Sequence, residues 1–175
     1  MKHFNSSSIA KIKEYESLFK EDIVSTDIDL PEIRSSDPIL VMAHKVSSVP
    51  PFVFVDDTSL FVDGEIGTEI RWLLPKLSSC VGKRAHYLVL LAYHDGEQVF
   101  IFQGETWGVI VEENLDSHPE IQMEKYFMPD GYNTTIDKVA DKEIRPRTKV
   151  VNNYKKGIVF ANVELPGKWL GEWQG

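Results

Sequence analysis

Apolar positions recur along this chain with two different periods, and the changes between them mark its elements. Ile9, Ile12, Tyr15 and Phe19 fall at helical spacing behind Ser6-Ser7-Ser8, which predicts a helix with serine as its N-cap. Asp37-Pro38 reads as a cap followed by a first-turn proline, opening a second helix that should bury Leu40, Val41 and Val46. Between the two helices, Ile23-Val24 is short and strand-like, and residues 27–32 form a loop. Residues 52–55 are an apolar run that stops at Asp56-Asp57-Thr58, so a buried strand is expected to end there. Residues 68–74 have a helical pattern closed by Pro75. Residues 87–93 and 98–103, joined by His94-Asp95-Gly96-Glu97, predict a hairpin, and residues 107–112 a further strand. Residues 113–125 are polar and irregular. Residues 147–154 place Val150, Val151 and Tyr154 on one side of a helix, and the β-branched run 157–165 has no partner visible in the sequence. The mixture predicts a single α/β domain over residues 1–175, with a mixed, largely antiparallel sheet flanked by helices.

Charge narrows the partners. There are 27 acidic against 19 basic side chains, a formal charge of −8, and the basic residues are spread along the chain. Such a surface repels a nucleic-acid backbone, so no nucleic acid is expected as partner. A small phosphorylated ligand is compatible, because a magnesium site uses carboxylates locally. Cys80 is the lone cysteine; it excludes an intrachain disulfide and reads as a small buried hydrophobe. No stretch has signal-peptide character, and the longest apolar run, residues 87–93, is too short for a bilayer, so a cytoplasmic protein without membrane attachment is expected.

Few residues could carry chemistry, and each has a plain structural reading beside the functional one. Asp56 and Asp57, together at a strand end, offer paired carboxylates for Mg²⁺ or an activated water; acids there also serve as turn or capping residues. Glu32, after Leu30-Pro31, is a second hard-metal candidate or a solvated loop acid. Lys11 should stand exposed in the first helical turn, where free N–H groups attract anions, as a phosphate clamp or a solvent-facing lysine. Lys142 and Arg147 belong to a Pro-flanked basic stretch that reads equally well as a charged loop.

The order of these signals changes the reading. Ser6-Ser7-Ser8 with Lys11 and Glu14, then Asp29-Leu30-Pro31-Glu32-Ile33, then Ala43-His44-Lys45, come in sequence before Val53-Phe54-Val55-Asp56-Asp57-Thr58-Ser59-Leu60. Ile70-Arg71-Trp72-Leu73-Leu74, Gly104-Glu105-Thr106-Trp107-Gly108-Val109-Ile110, Phe127-Met128-Pro129-Asp130-Gly131-Tyr132 with Thr135, and finally Lys142 and Arg147 follow. Over nearly its whole length the chain thereby resembles the inosine triphosphatase (Ham1-like) family. It departs from that family in Ser7 and Ser8, which replace a Gly-Asn turn, in Ile121-Gln122-Met123-Glu124, which replaces an aromatic base-stacking segment, and in Arg145-Pro146, which replaces Ser-His.

The resemblance implies two lobes of a mixed sheet around a cleft, a homodimer, and hydrolysis of deaminated purine nucleoside triphosphates such as ITP, dITP and XTP to monophosphate and pyrophosphate. It further implies Mg²⁺, with Mn²⁺ as a substitute, held by Glu32 and Asp57 with Asp56 and Glu14. Asp57 would be the general base. Ser6, Ser7, Ser8, Lys11, Lys45, Thr58, Lys142 and Arg147 would contact phosphate, and Met123, Glu124 and Arg145 would border the base. Three rivals stay open: the same chemistry retargeted to another base, a non-catalytic nucleotide-binding relative, and a phosphohydrolase that releases orthophosphate.

Overall fold

The computed structural model describes residues 1–65 and 70–174. Four α-helices and seven strands are ordered as β1 (Lys2–Asn5), α1 (Ile9–Phe19), β2 (Ile23–Thr26), α2 (Pro38–Ser47), β3 (Val53–Val62), α3 (Ile70–Leu73), β4 (Arg84–His94), β5 (Gln98–Ile110), β6 (Phe127–Pro129), α4 (Pro146–Lys155) and β7 (Ala161–Glu164). One mixed sheet in the order β2-β1-β3-β4-β5-β6 runs through the described residues, with β7 also paired to β5. The β2-β1-β3 contacts are parallel and all others antiparallel.

Both faces of this sheet are covered. Along β4, Tyr87, Val89 and Leu91 enter a core shared with Ile12, Tyr15 and Phe19 of α1 and Val150 and Val151 of α4. The intervening Leu88, Leu90 and Ala92 enter a second core with Met42 and Val46 of α2. Successive side chains of a strand point to opposite faces. A strand buried on both sides therefore needs an unbroken apolar run, which residues 87–93 supply.

Local chemistry sets the helices. Ser8 caps α1, its hydroxyl accepting the Lys11 N–H at 3.2 Å, and Lys20 closes the helix in the left-handed region at φ 58°. Asp37 caps α2, accepting from the N–H groups of Ile39 and Leu40, with Pro38 in the first turn. Ile9 is 74% exposed rather than buried. It is the first residue of the helix, and the buried stripe begins one turn later at Ile12. Leu40 is half-buried, and the α2 core face falls instead on Val41, Met42, Ala43 and Val46.

Four other expectations change. The strand at the aspartates does not end there: β3 continues to Val62, because its backbone ladder to β4 carries on from Val55↔Ala92 to Val62↔Ala85 whatever the side chains are. Residues 107–110 are no separate strand; β5 runs unbroken through Gly104 to Ile110 against β4. The α-helix starting near 70 does stop before Pro75, at Leu73, but the chain stays helical: a 3-10 helix follows over Leu74–Cys80 with Pro75 in its first turn, where the missing N–H costs nothing. The expected residues Thr68 and Glu69 lie outside the described residues. Within the irregular stretch 113–125 a 3-10 helix forms over Gln122–Tyr126. Cys80 is buried and free, as its sequence context suggested. Among the described residues no helix is long and apolar enough to cross a membrane.

Gly104 lets α4 seat on β5. A Cβ at this position would collide with the Pro146 carbonyl oxygen and lie 2.6 Å from the Val150 nitrogen, both backbone atoms that cannot swing away. Gly104→Ala is therefore expected to destabilise the fold by about 1–3 kcal/mol, the usual cost of overpacking. Urea unfolding checks it, and a change below about 0.5 kcal/mol would mean that α4 shifts freely.

Candidate active site

The two neighbouring aspartates part company at once. Asp56 and Asp57 follow Phe54 and Val55 in β3, and the alternation that sends Phe54 to the α1–α4 core and Val55 to the α2 core carries on through them. β1 pairs with β3 only at His3↔Val53 and Phe4↔Phe54 and ends at Asn5. Beyond that point β3 has no parallel neighbour, and a cleft of about 370 Å³ opens, lined by Ser6, Ser7, Lys11, Asp29, Lys45 and Asp56 among others.

On the α1–α4 side, Asp56 is 5% exposed and both of its oxygens are engaged. Oδ1 accepts from Lys11 Nζ at 2.9 Å; Oδ2 accepts from the Tyr15 hydroxyl at 2.8 Å and lies 3.6 Å from Arg147 Nη2. Burial alone would push this carboxyl up. The Lys11 and Arg147 charges and the bonds from Lys11 and Tyr15 outweigh it and hold Asp56 at about 2. Arg147 is 4% exposed, donates to Glu14 Oε2 at 2.6 Å and lies over the Tyr15 ring. Its Nε and Nη2 have no hydrogen-bond partner. Lys11 is tied to a buried acid rather than standing free in solvent.

On the α2 side, two carboxylates converge on one cation. Lys45 Nζ lies 3.0 Å from Glu32 Oε1 and 3.4 Å from Asp57 Oδ1, and donates to the Asp56 carbonyl oxygen at 3.3 Å. Burial pulls the Lys45 ammonium down, but Asp57, Glu32 and Asp56 more than reverse it and keep it charged. Asp57 is raised: burial pushes it up, and Glu32 and Asp56 add to this against the pull of Lys45. Among the described residues no three His, Cys, Asp or Glu side chains form a metal-sized group; Glu32 and Asp57 are two carboxylates gathered on Lys45, which lines the cleft. Two carboxylates already gathered around a positive charge fit a hard divalent cation, which commonly takes only one or two protein carboxylates and fills its shell with phosphate oxygens and water.

The remaining expected residues divide. Ser6 and Ser8 shape the turn between β1 and α1, with Ser8 N–H donating to Ser6 Oγ at 3.2 Å; Ser7 lines the cleft and Thr58 shares the Asp56 face. Glu14 is not brought to Glu32 and Asp57; it pairs with Arg147 and with Arg145 at 3.8 Å on the opposite side of the sheet. Lys142 sits on a 3-10 turn, its ammonium on the Val139 carbonyl oxygen at 3.2 Å, and does not line the cleft with Lys11 and Lys45. A second pocket of about 240 Å³ shares Lys11 with the cleft and is lined by Glu14, Glu124, Asp137, Arg145 and Arg147. Glu124 and Arg145 line it as one bidentate pair, at 2.9 Å on each oxygen, with Tyr87 donating to Glu124 at 3.2 Å. Met123 does not line it; it is 1% exposed and part of the core. Two residues escaped the sequence reading. Tyr15 fits the apolar helix stripe, so its hydroxyl carried no signal. Asp137 lay in a featureless stretch, although its Oδ1 is buried without a partner.

A profile of the Ham1 family matches residues 3–153. A protein named inosine triphosphate pyrophosphatase from Encephalitozoon cuniculi (strain GB-M1) is 30% identical over 185 residues, covering 93% of this chain and 95% of the relative.

The Asp56 cage predicts an acid response with a definite sign. Its folded pKa, about 2, is below the ordinary 3.8, so its contribution is complete above about pH 4 and is lost as pH falls from 3.8 through 2. That contribution is on the order of 2 kcal/mol. In urea unfolding, wild type should exceed Asp56→Asn in stability at pH 7, and the gap should narrow at pH 3. A gap that is constant with pH would remove Asp56 as the titrating group.

Proposed function

The chain belongs to the Ham1 family, and from that membership and the geometry of the cleft we propose that it hydrolyses nucleoside triphosphates to nucleoside monophosphate and pyrophosphate. The observation that carries the reading is that one cleft is lined both by Lys45, which gathers two carboxylates, and by Ser7 and Lys11 at the start of α1. Glu32 and Asp57 converge on a cation beside the N-terminus of an eleven-residue helix that holds Lys11 at its first turn. Helix N-termini favour phosphate through free N–H groups and the helix dipole. A triphosphate with its divalent counter-ion needs both.

In this reading Glu32 and Asp57 hold Mg²⁺, or Mn²⁺ in its place, and the bound ion supplies charge neutralisation for the phosphate oxygens. Asp57 orients the attacking water and accepts its proton, a role that its raised pKa favours. Lys45 keeps the two carboxylates from repelling each other until substrate arrives. Lys11 and Arg147, anchored by Asp56, offer donors to phosphate oxygens whose charge grows in the transition state. Deaminated purines such as ITP, dITP and XTP are the proposed substrates, and clearing them from the nucleotide pool the proposed use.

A second reading rests on one specific contact. Both oxygens of Glu124 are occupied by Arg145, with Tyr87 also bonded, so this acid is not free to read a base edge. Strong discrimination requires polar groups that go unpaired with the wrong substrate. The same chemistry with weaker base preference follows.

Two measurements test these readings. Asp57→Asn is expected to lower the rate of pyrophosphate release about 10²–10⁴-fold with the fold intact by circular dichroism; retention of more than about a tenth of the rate would move the base elsewhere. A panel of ITP, XTP, dITP, ATP, GTP, UTP and CTP at one Mg²⁺ concentration should give pyrophosphate, not orthophosphate. ITP and XTP should lead by less than about a hundredfold, roughly 2.7 kcal/mol. A larger lead would mean that the pocket discriminates in spite of the Glu124–Arg145 pair.

A further inference from the structure

The family match ends at residue 153, yet the chain that follows returns to α2 and the loop before it. After α4, β7 pairs with β5 in the register Gln98↔Glu164 to Ile101↔Ala161, and Leu165 N–H donates to the Glu97 carbonyl at 3.0 Å. The segment beyond crosses to the loop that carries Glu32. Trp173 forms an antiparallel bridge with Ile33, which is fully buried. Gln174 N–H donates to the Glu32 carbonyl oxygen at 2.8 Å, Arg34 N–H donates to the Glu172 carbonyl at 2.9 Å, and Gln174 Nε2 reaches the Ile33 carbonyl at 3.1 Å. Nearer the start of this segment, the Trp169 ring meets His44, the residue next to Lys45, edge-on at 5.3 Å. Trp169 is itself tied back by its indole N–H to the Glu172 carbonyl at 2.8 Å.

The loop needs such a strap. At its start, Ile28 exchanges backbone bonds with the Asn5 side chain at 2.8 and 2.9 Å. From there to Ile33 the backbone runs without regular structure, and the Glu32 carbonyl finds its partner in Gln174. An acid whose own peptide carbonyl had lost its partner would sample positions off the Lys45 ammonium. The tail fixes the peptide of Glu32 and touches the helix of Lys45, the two elements whose separation sets the carboxylate–ammonium distance of 3.0 Å.

We propose that residues 165–174 act as a positioning strap that presets Glu32 against Asp57 and so tunes the affinity of the cleft for a divalent cation. This rests on the proposed role of Glu32 and Asp57. The strap touches backbone and helix surface, not substrate, so its effect should fall on cation affinity and leave the rate at saturating cation nearly unchanged.

Full-length Gln174→Pro and Gln174→Ala separate the strap from mere surface cover. Proline removes the N–H that bonds the Glu32 carbonyl, whereas alanine keeps it. Three quantities are measured on each: amide exchange at Arg34, Mn²⁺ affinity by titration without substrate, and the Mn²⁺ dependence of pyrophosphate release. Gln174→Pro should speed Arg34 exchange and weaken Mn²⁺ binding by about tenfold, roughly 1.4 kcal/mol, with the rate at saturating Mn²⁺ within about twofold of wild type. Gln174→Ala should stay close to wild type in all three. Faster Arg34 exchange with unchanged Mn²⁺ affinity would overturn the proposal, as would unchanged exchange. Wild-type protein that binds no Mn²⁺ at all would instead overturn the role given to Glu32 and Asp57, a result distinguishable because it appears before any substitution.

Discussion

Two adjacent acids on one strand cannot share a face, and the site depends on that constraint. β3 alternates, so Asp56 turns toward α1 and α4 while Asp57 turns toward α2. The early end of β1 at Asn5 opens the cleft beside Asp56 at the place where the parallel part of the sheet gives way to the antiparallel part. Each acid then gathers its own cations. Lys11 and Arg147 come to Asp56; Lys45 comes to Asp57 and brings Glu32 with it. The two acids that stand together in the sequence belong to two separate charge clusters, back to back across a strand.

Energetics explain why the arrangement holds. Buried charges are tolerated only when paired and hydrogen-bonded, and removing one partner of such a pair typically costs about 3–5 kcal/mol. Asp56 satisfies this with a lysine, a tyrosine hydroxyl and an arginine, and its depressed pKa reports the result. Arg147 is less satisfied, with Nε and Nη2 unbonded in a buried position. An incoming anion would supply what they lack, in keeping with the phosphate contact proposed for Arg147. Asp57, raised by burial and by its acidic neighbours, is poised in the opposite direction, toward holding a proton.

Much of the fold was legible because its signals are local. Ser8 and Asp37 cap the helices that their hydroxyl and carboxylate announced, and the Asp95-Gly96 turn joins the predicted hairpin, with Gly96 at φ 103°. The end of the apolar run at Val55 misled, because hydrophobicity reports burial of side chains while strand continuity is decided by the backbone ladder to β4. The same cause hid the opposite facing of the aspartates: reading them as a pair passed over the period of the strand. Glu14 keeps its place three residues from Lys11, but its partner is an arginine 133 residues away, which no local pattern encodes. The tail failed for a related reason, since the partner of β7 is β5 and that of Trp173 is Ile33, both far back in the chain.

If the aspartates divide the work, divalent-cation binding should depend on one of them and not on the other. Titrating Mn²⁺ into wild type, Asp56→Asn and Asp57→Asn, followed by the loss of the free-ion magnetic resonance signal, tests this without substrate or turnover. Asp57→Asn should weaken binding by about tenfold or more, while Asp56→Asn should stay within about threefold of wild type, less than roughly 0.7 kcal/mol. Equal loss in both variants, or a greater loss in Asp56→Asn, would contradict the division and return the two acids to a single site.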